Sequence, residues 1–296
     1  MIQLFLQRDF GNKINATFQY IGENFRSLGM ALLYIVGPVA LVAGIATGIL
    51  QSNFLKIATE AGSNKNPDPM AMFQMMSQFV SPTFWLVILL SILANVVVIL
   101  TTYAHMKIYA RTNGAPIGVQ EVWNEVQPAI GRAIIISILS SIVTFVGFMF
   151  FFIPGIYVAV VLSLSLAVTS FEGTDFGKTW ERCFKLIRDK WWSTFGLIIV
   201  MGIIVGIVGL IFAIPSAIVG FLIGGKLLPD VSVVWLTLAN VIALVGRTLL
   251  NSMLYIAIGF QYTNLVERQE GRGLISDIDS IGTNPSQPRS TDEGSF

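Results

Sequence analysis

Two stretches of the chain repeat one pattern of apolar positions. Phe10, Ile14, Phe18, Ile21 and Phe25 follow Asp9-Phe10-Gly11 at the spacing with which Phe176, Trp180, Phe184, Ile187 and Trp191 follow Asp175-Phe176-Gly177. That spacing lays one apolar stripe along a helix, with Lys, Arg and Glu on the other face. In each stretch the Asp is the expected N-cap. Each stripe then runs into an apolar segment long enough to cross a bilayer. Such segments lie at about 28–50, 83–110, 131–152, 155–171, 193–214 and 231–262, which predicts six transmembrane helices. Ile153-Pro154-Gly155 makes the turn between the third and the fourth. A second Ile-Pro, Ile214-Pro215, falls inside an apolar run that continues to Gly225, so Pro215 either kinks a long helix or starts a short re-entrant piece.

The chain divides into three units, 9–113, 116–172 and 174–268, each a surface helix followed by a hairpin of spans. In the middle unit Val119, Trp123, Val126 and Ile130 keep the stripe, although Pro128 interrupts it. All three surface helices fall on one side, so the repeats are parallel. The predicted fold is therefore all-α: a polytopic bundle of six transmembrane helices in three parallel repeats, filling residues 1–271. Outside the membrane, one sizeable loop (51–82) carries a short helix that Asp68-Pro69 would start. The tail, 272–296, is rich in Ser, Thr, Gly, Pro and Asp and is expected to be largely disordered.

Charge sets the orientation. Placing both termini on one side puts 14 of the 18 Lys and Arg there, against Lys56, Lys65 and Lys226 on the other and Arg247 inside. The positive-inside rule then makes both termini cytoplasmic, in a bacterial inner membrane. Phe10, Phe18, Phe25, Trp123, Phe176, Trp180, Phe184, Trp191 and Trp192 are the expected membrane-interface residues. The implied partner is the lipid bilayer, with anionic phospholipids drawn to the neighbouring Lys and Arg.

Composition agrees, with 54% hydrophobic and 12% charged residues and a mean hydropathy of +0.73. A net charge of +1 leaves no basic excess for nucleic acid. The single cysteine, Cys183, excludes an intrachain disulfide and a Cys-rich metal site. Met1 to Leu6 is too short for the apolar core of a cleavable leader, so the first span is expected to act as the insertion signal.

Arg247, near the middle of the last span, is the sharpest candidate for chemistry. Asn240 and Asn251 share its helix face, while Asn95, Thr102 and His105 form a second polar stripe on the second span, continued by Tyr109. A mid-membrane Arg marks a functional site or a buried polar network, or it snorkels to an interface. No Asp or Glu lies inside a predicted span, which argues against a carrier coupled to protons or cations. One histidine cannot build a multi-histidine metal centre. Met70, Met72, Met75 and Met76 either offer thioethers to Cu(I) or serve as adaptable apolar filling. The Asp-Phe-Gly triplets lack every other kinase motif. No catalytic residue, cofactor or metal site is expected. Gly44-x-x-x-Gly48, Gly202-x-x-x-Gly206 and Gly220-x-x-x-Gly224 predict close helix packing within the chain, with a protein partner or with a second copy.

Ile153-Pro154-Gly155-Ile156-Tyr157, Phe171-Glu172-Gly173 and the run from Trp180 through Ile187 to Trp191-Trp192 resemble the membrane domain joined to some bacterial glycerophosphodiester phosphodiesterases, and its stand-alone relatives. The end, from Phe260-Gln261-Tyr262 to Glu270-Gly271, is similar to stand-alone members from Bacteroidota-type bacteria. The resemblance implies a polytopic membrane domain. It carries over no catalytic residue, since the chain has no phosphodiesterase domain and no acidic or histidine cluster. Two functions are therefore expected. The first is a non-enzymatic accessory or scaffold subunit of a membrane complex or envelope process. The alternative is a transporter or lipid-handling protein that holds an anionic head group near Arg247. A dry, tightly packed interior would favour the first, and a polar cavity reaching Arg247 the second.

Overall fold

The computed structural model describes residues 2–63, 69–224 and 233–271. Every regular element among them is a helix. Helix α1 (Phe10–Ala31) passes through one π-helical turn (Leu32–Val36) into α2 (Gly37–Ser63). Next come α3 (Pro69–Gln78) and α4 (Pro82–Arg111), then α5 (Val119–Val126), α6 (Ile130–Phe150), α7 (Phe152–Leu162) and α8 (Ser165–Glu172), and finally α9 (Phe176–Ile187), α10 (Trp191–Gly224) and α11 (Val233–Glu270). Six helical segments among the described residues are long and apolar enough to cross a membrane, with α7 and α8 together making one of them. Asp68, Lys65, Lys226 and the tail from residue 272 lie outside the described residues.

Of the two readings of Pro215, the structure has the long helix. Helix α10 runs through Pro215 to Gly224, so no re-entrant piece starts there. The fourth apolar segment, which contains no Pro or Gly between Ile156 and Glu172, is broken between Leu162 and Ser165.

Helix α11 is the hub, packing against α10, α2, α4 and α1. Its contact with α2 is backbone to backbone. A Cβ on Gly44 would stand 2.9 Å from the Cα of Val241, and one on Gly48 would stand 2.7 Å from the Cα of Thr237. Four residues forward on α2 are four residues back on α11, so the two helices are antiparallel. Only this one of the three Gly-x-x-x-Gly pairs makes such an approach among the described residues. Added Cβ atoms at Gly202, Gly206 and Gly220 would meet nothing within 4 Å.

Helix α1 does not run alongside the spans. Lys13 Nζ donates to Gln261 Oε1 of α11 (2.6 Å), and Tyr20 sets its ring edge against Phe260 (5.9 Å between centroids). Tyr20 and Ser27 both reach the ring of His105 on α4. From Lys13 to Ser27 a helix advances about 20 Å, yet its partners stay at one level of α4 and α11. Helix α1 therefore lies across their ends. The chain changes course near the π-helical turn and Gly37-Pro38, where the regular hydrogen-bond ladder is interrupted.

The buried face of α1 mixes Lys13, Thr17, Tyr20 and Asn24 with Ala16, Leu28 and Ala31. Phe18 and Phe25 point outward, at 42% and 73% exposure. Asp9 caps the helix by accepting from the Asn12 N–H (2.7 Å). Lys13 also donates to Ser193 Oγ (2.9 Å), and Gln261 Nε2 donates to Thr194 Oγ1 (2.7 Å), which joins α1 to α10 and α11.

Charged clamps hold the other two short helices. Lys107 and Arg111 of α4 both grip Glu125 of α5, Arg111 at 2.9 Å. Arg182 of α9 bonds Glu172 of α8 (3.0 Å) and Glu270 of α11, and the Tyr262 hydroxyl donates to the same Glu172 (2.8 Å). Burial works against the Arg182 charge, but the two carboxylates outweigh it and raise the guanidinium pKa. Beside it, Cys183 is fully buried, and burial pushes its thiol up to about 12, which keeps it protonated and inert.

Candidate functional site

Helices α4, α6, α7, α8 and α11 border a cavity. Helix α6 carries Ser137, Ser140, Ser141 and Thr144, a spacing that places four hydroxyls on one helix face. They line a cavity of about 500 Å³. Asn95 and Tyr103 of α4 and Tyr255 of α11 form another wall. Ser163 and Ser165, at the break between α7 and α8, form a third. A second cavity of about 400 Å³ adjoins it, sharing Asn95, Ser137 and Ser141 and extending between α4 and α6 to Ser91. Asn95, Ser141 and Phe145 are exposed, so the space is a groove open at its side.

No charged residue lines either cavity. The polar groups are hydroxyls and one amide, and they differ in how far they are satisfied. The Tyr255 hydroxyl donates to Asn95 Oδ1 (3.1 Å) at the mouth. Ser141 donates back to the Ser137 carbonyl (2.8 Å), and Ser163 to the Val160 carbonyl (2.7 Å). Ser140 is different. It is only 8% exposed, and its Oγ has no hydrogen-bond partner. Burying an unpaired hydroxyl costs about 1–3 kcal/mol, so this site holds an unmet hydrogen bond in the middle of an apolar helix.

The helix break adds donors. Helix α8 has no side-chain cap, and its first backbone bond is from the Val168 N–H to the Leu164 carbonyl (2.9 Å). The N–H groups of Ser165, Leu166 and Ala167 thus have no backbone acceptor among the described residues. Ser165 and Leu166 belong to the cavity wall, so the first turn of α8 borders the groove.

Of the residues singled out by their polarity in the sequence, the structure brings only Asn95 into this groove. His105 lies elsewhere, with Nδ1 2.6 Å from the Tyr20 hydroxyl and Nε2 3.1 Å from Ser27 Oγ. Thr102 donates to the Val98 carbonyl of its own helix (2.8 Å), and Asn240 likewise to Leu236 (2.8 Å). Arg247 sits exposed on α11 and makes no hydrogen bond or ion pair among the described residues; Asn251 is half-buried. Arg247, Asn240 and Asn251 share one helix of the bundle, α11, and no hydrogen bond joins them to one another among the described residues.

The aromatic residues of α1 and α9 form outward surfaces. Phe10, Phe18, Phe25 and Trp192 are exposed, while Trp123, Phe176, Trp180, Phe184 and Trp191 are half-buried. Trp180 stacks on Phe184 (5.5 Å) and Trp191 on Tyr157 (5.8 Å). Met72 and Met76 are exposed on α3 and Met75 is half-buried. No group of His, Cys, Asp and Glu among the described residues is arranged to hold a metal ion.

The serines of the groove had a sequence signal, the i, i+3, i+4, i+7 spacing of hydroxyls within an apolar run. The helix break had none.

A family model described as a domain of unknown function (DUF7847) matches residues 118–265, which run from α5 through the groove-lining helices α6–α8 to α11. No curated protein and no solved structure matches the chain.

Proposed function

The chain belongs to the family described as a domain of unknown function (DUF7847), and from that premise we propose that it is a multi-pass bacterial inner-membrane protein that takes a lipid from the bilayer into the α4–α6–α8 groove. It works by binding, without covalent chemistry of its own. The observation that carries this reading is the cavity of about 500 Å³, open at its side and lined by hydroxyls of the long apolar helix α6. Its volume is in the range of small-molecule sites, and its position lets an acyl or isoprenoid tail remain in the bilayer. An accessory role calls for a dry, tight interior, so the groove weighs for lipid handling. The groove, not Arg247, is the proposed site.

In this reading both termini are cytoplasmic, and α1, α5 and α9 lie in the cytoplasmic head-group region, each leading one of three parallel units. The exposed Phe18 and Phe25 support that placement for α1, because a half-buried apolar face is how such helices hold to an interface. The order of elements supports the repeat, since each of the three short helices precedes a pair of apolar segments.

Ser141→Trp places a large side chain in the space shared by both cavities. Ile135→Trp, on an exposed position of α6 that lines neither cavity, is the control. Native mass spectrometry of each variant released from nanodiscs should show retained lipid in the wild type and in Ile135→Trp, and its loss in Ser141→Trp. Equal retention in all three would overturn the proposal.

A further inference from the structure

Two turns that point away from the charged clamps differ in kind. Around the turn between α3 and α4 the chain carries Ser77, Gln78 and Ser81. Around the turn between α6 and α7, from Phe145 to Leu162, the only polar side chain is that of Tyr157. Met149, Phe150, Phe151, Phe152 and Ile153 are nonetheless 70–80% exposed. We infer that the α6–α7 turn stays inside the bilayer, as a lipid-binding tip seated among the acyl chains of the far leaflet, just beneath its head groups. The inference rests on the membrane placement proposed above and not on lipid uptake by the groove.

Length decides how far each turn reaches. Arg132, near the start of α6, donates from Nη1 to the Gly173 carbonyl at the end of α8 (2.6 Å), so one polar level marks the foot of both legs. Lys107 of α4 borders the same pocket as Arg132 and Gly173. From Lys107 to Ser81 the helix advances about 39 Å, and from Arg132 to Phe151 about 28 Å. A hydrocarbon core is about 30 Å thick. The first turn therefore clears the core and the second does not, and tilt shortens both reaches.

The chemistry of the tip suits that depth. Below it, the exposed Ile135, Leu139 and Val146 continue the same apolar surface along α6, the face that a membrane-crossing segment turns to acyl chains. Phe151 is the single residue between the two helices. Its N–H donates to the Gly147 carbonyl (3.1 Å), and its carbonyl accepts from the Gly155 N–H (3.1 Å). Pro154, in the first turn of α7, has no N–H to leave unpaired. Glycine removes the need for a longer loop, since a Cβ on Gly147 would stand 3.2 Å from the Cα of Gly155. Few backbone groups are thus left to seek water, which hydrocarbon demands. Phe148 also belongs to the wall of the groove, so the tip keeps water from that end of it.

The test attaches a methanethiosulfonate nitroxide to single cysteines introduced into the full chain, which is then placed in phosphatidylcholine nanodiscs. Phe151→Cys and Ile153→Cys probe the tip, Leu139→Cys the middle of α6, and Ser77→Cys the other turn. The unsubstituted chain, whose Cys183 is buried, is the blank. Power-saturation EPR reads collisions with dioxygen, which concentrates in hydrocarbon, and with a nickel chelate, which stays in water. Nickel collisions at Phe151 and Ile153 should be about tenfold fewer than at Ser77, as expected of positions outside water, with dioxygen collisions high. Nickel access at both tip positions equal to that at Ser77, with Leu139 still screened, overturns the inference and leaves the membrane placement standing. Nickel access at Leu139 as well overturns the placement and the inference with it. Low collision rates with both reagents and an immobilised spectrum at the tip would mean that a second copy or another protein covers it, which overturns lipid as the occupant.

Discussion

Helix α11 meets small side chains in two regions, and they do opposite things. Against α2, Gly44 and Gly48 let the backbones close until a single added carbon would collide with Val241 or Thr237. Toward α6 and α8, the small residues are serines, and the helices stand apart around a cavity. The difference lies in what each residue asks of its neighbour. Glycine brings no polar group, so contact is limited only by van der Waals radii. A serine hydroxyl buried in hydrocarbon needs a partner. Ser141 and Ser163 find one on their own helix, and Ser140 does not. A small-residue motif in a span therefore permits closeness when it is glycine, as at Gly44 and Gly48, and does not impose it, as at Gly202 and Gly206. When it is serine, it predicts closeness or a site.

The contrast can be broken from below. Arg182 ties α8, a wall of the groove, to α11 through Glu172 and Glu270, with side-chain exposure of 16% and 14% for Arg182 and Glu172. Arg182→Leu leaves both carboxylates without their cation and should cost about 2–3 kcal/mol, between the ranges for exposed and buried pairs because this one is part-buried. Hydrogen exchange should then rise in α8 and α9 while α2 stays protected. Equal protection in the variant and the wild type would mean that the clamp holds nothing.

Gly48→Val attacks the other region. Its Cβ would fall 2.7 Å from a backbone atom, which cannot swing aside. Overpacking of this kind costs about 1–3 kcal/mol. A lower unfolding midpoint in detergent, with lipid retention unchanged in the population that remains folded, is expected. Lost retention at an unchanged midpoint would show that the two regions are coupled and the contrast drawn here is wrong. The smallest effect sharpens the same point. Gly202 belongs to an identical motif, but an added Cβ there meets nothing within 4 Å. Gly202→Ala should raise stability by up to about 1 kcal/mol through helix propensity, and a fall would reveal a contact of α10 with a second copy of the chain.

Much of the architecture was legible because it rests on one-dimensional rules. Six long apolar runs must become helices in a bilayer, since no other open structure satisfies the backbone there, and the structure has six such segments among the described residues. The stripe from Phe10 to Phe25 correctly marked one face of α1, but not which face would be buried. Lys13 and Tyr20 are among the residues that pack inward, because α4, α10 and α11 offer them His105, Ser193 and Gln261. Those acceptors lie far along the chain, beyond the reach of local periodicity.

What the residues determined by themselves was the class of fold, the number of apolar segments and the charge asymmetry, all sums over local composition. Tertiary packing decided everything that depends on which face meets which. It kept α10 helical through Pro215, where Ser216 bonds the Ala213 carbonyl (2.9 Å), and it interrupted the helix at Ser163-Leu164, where the sequence holds no breaker. It closed one glycine motif and left two others without such an approach. It set Arg247 outside any network and assembled the groove from serines of α6 and α8 with Asn95 and Tyr255. The reason is common to all of these. A helix in hydrocarbon satisfies its own backbone, so its breaks and its polar side chains are settled by the partners that neighbouring helices supply.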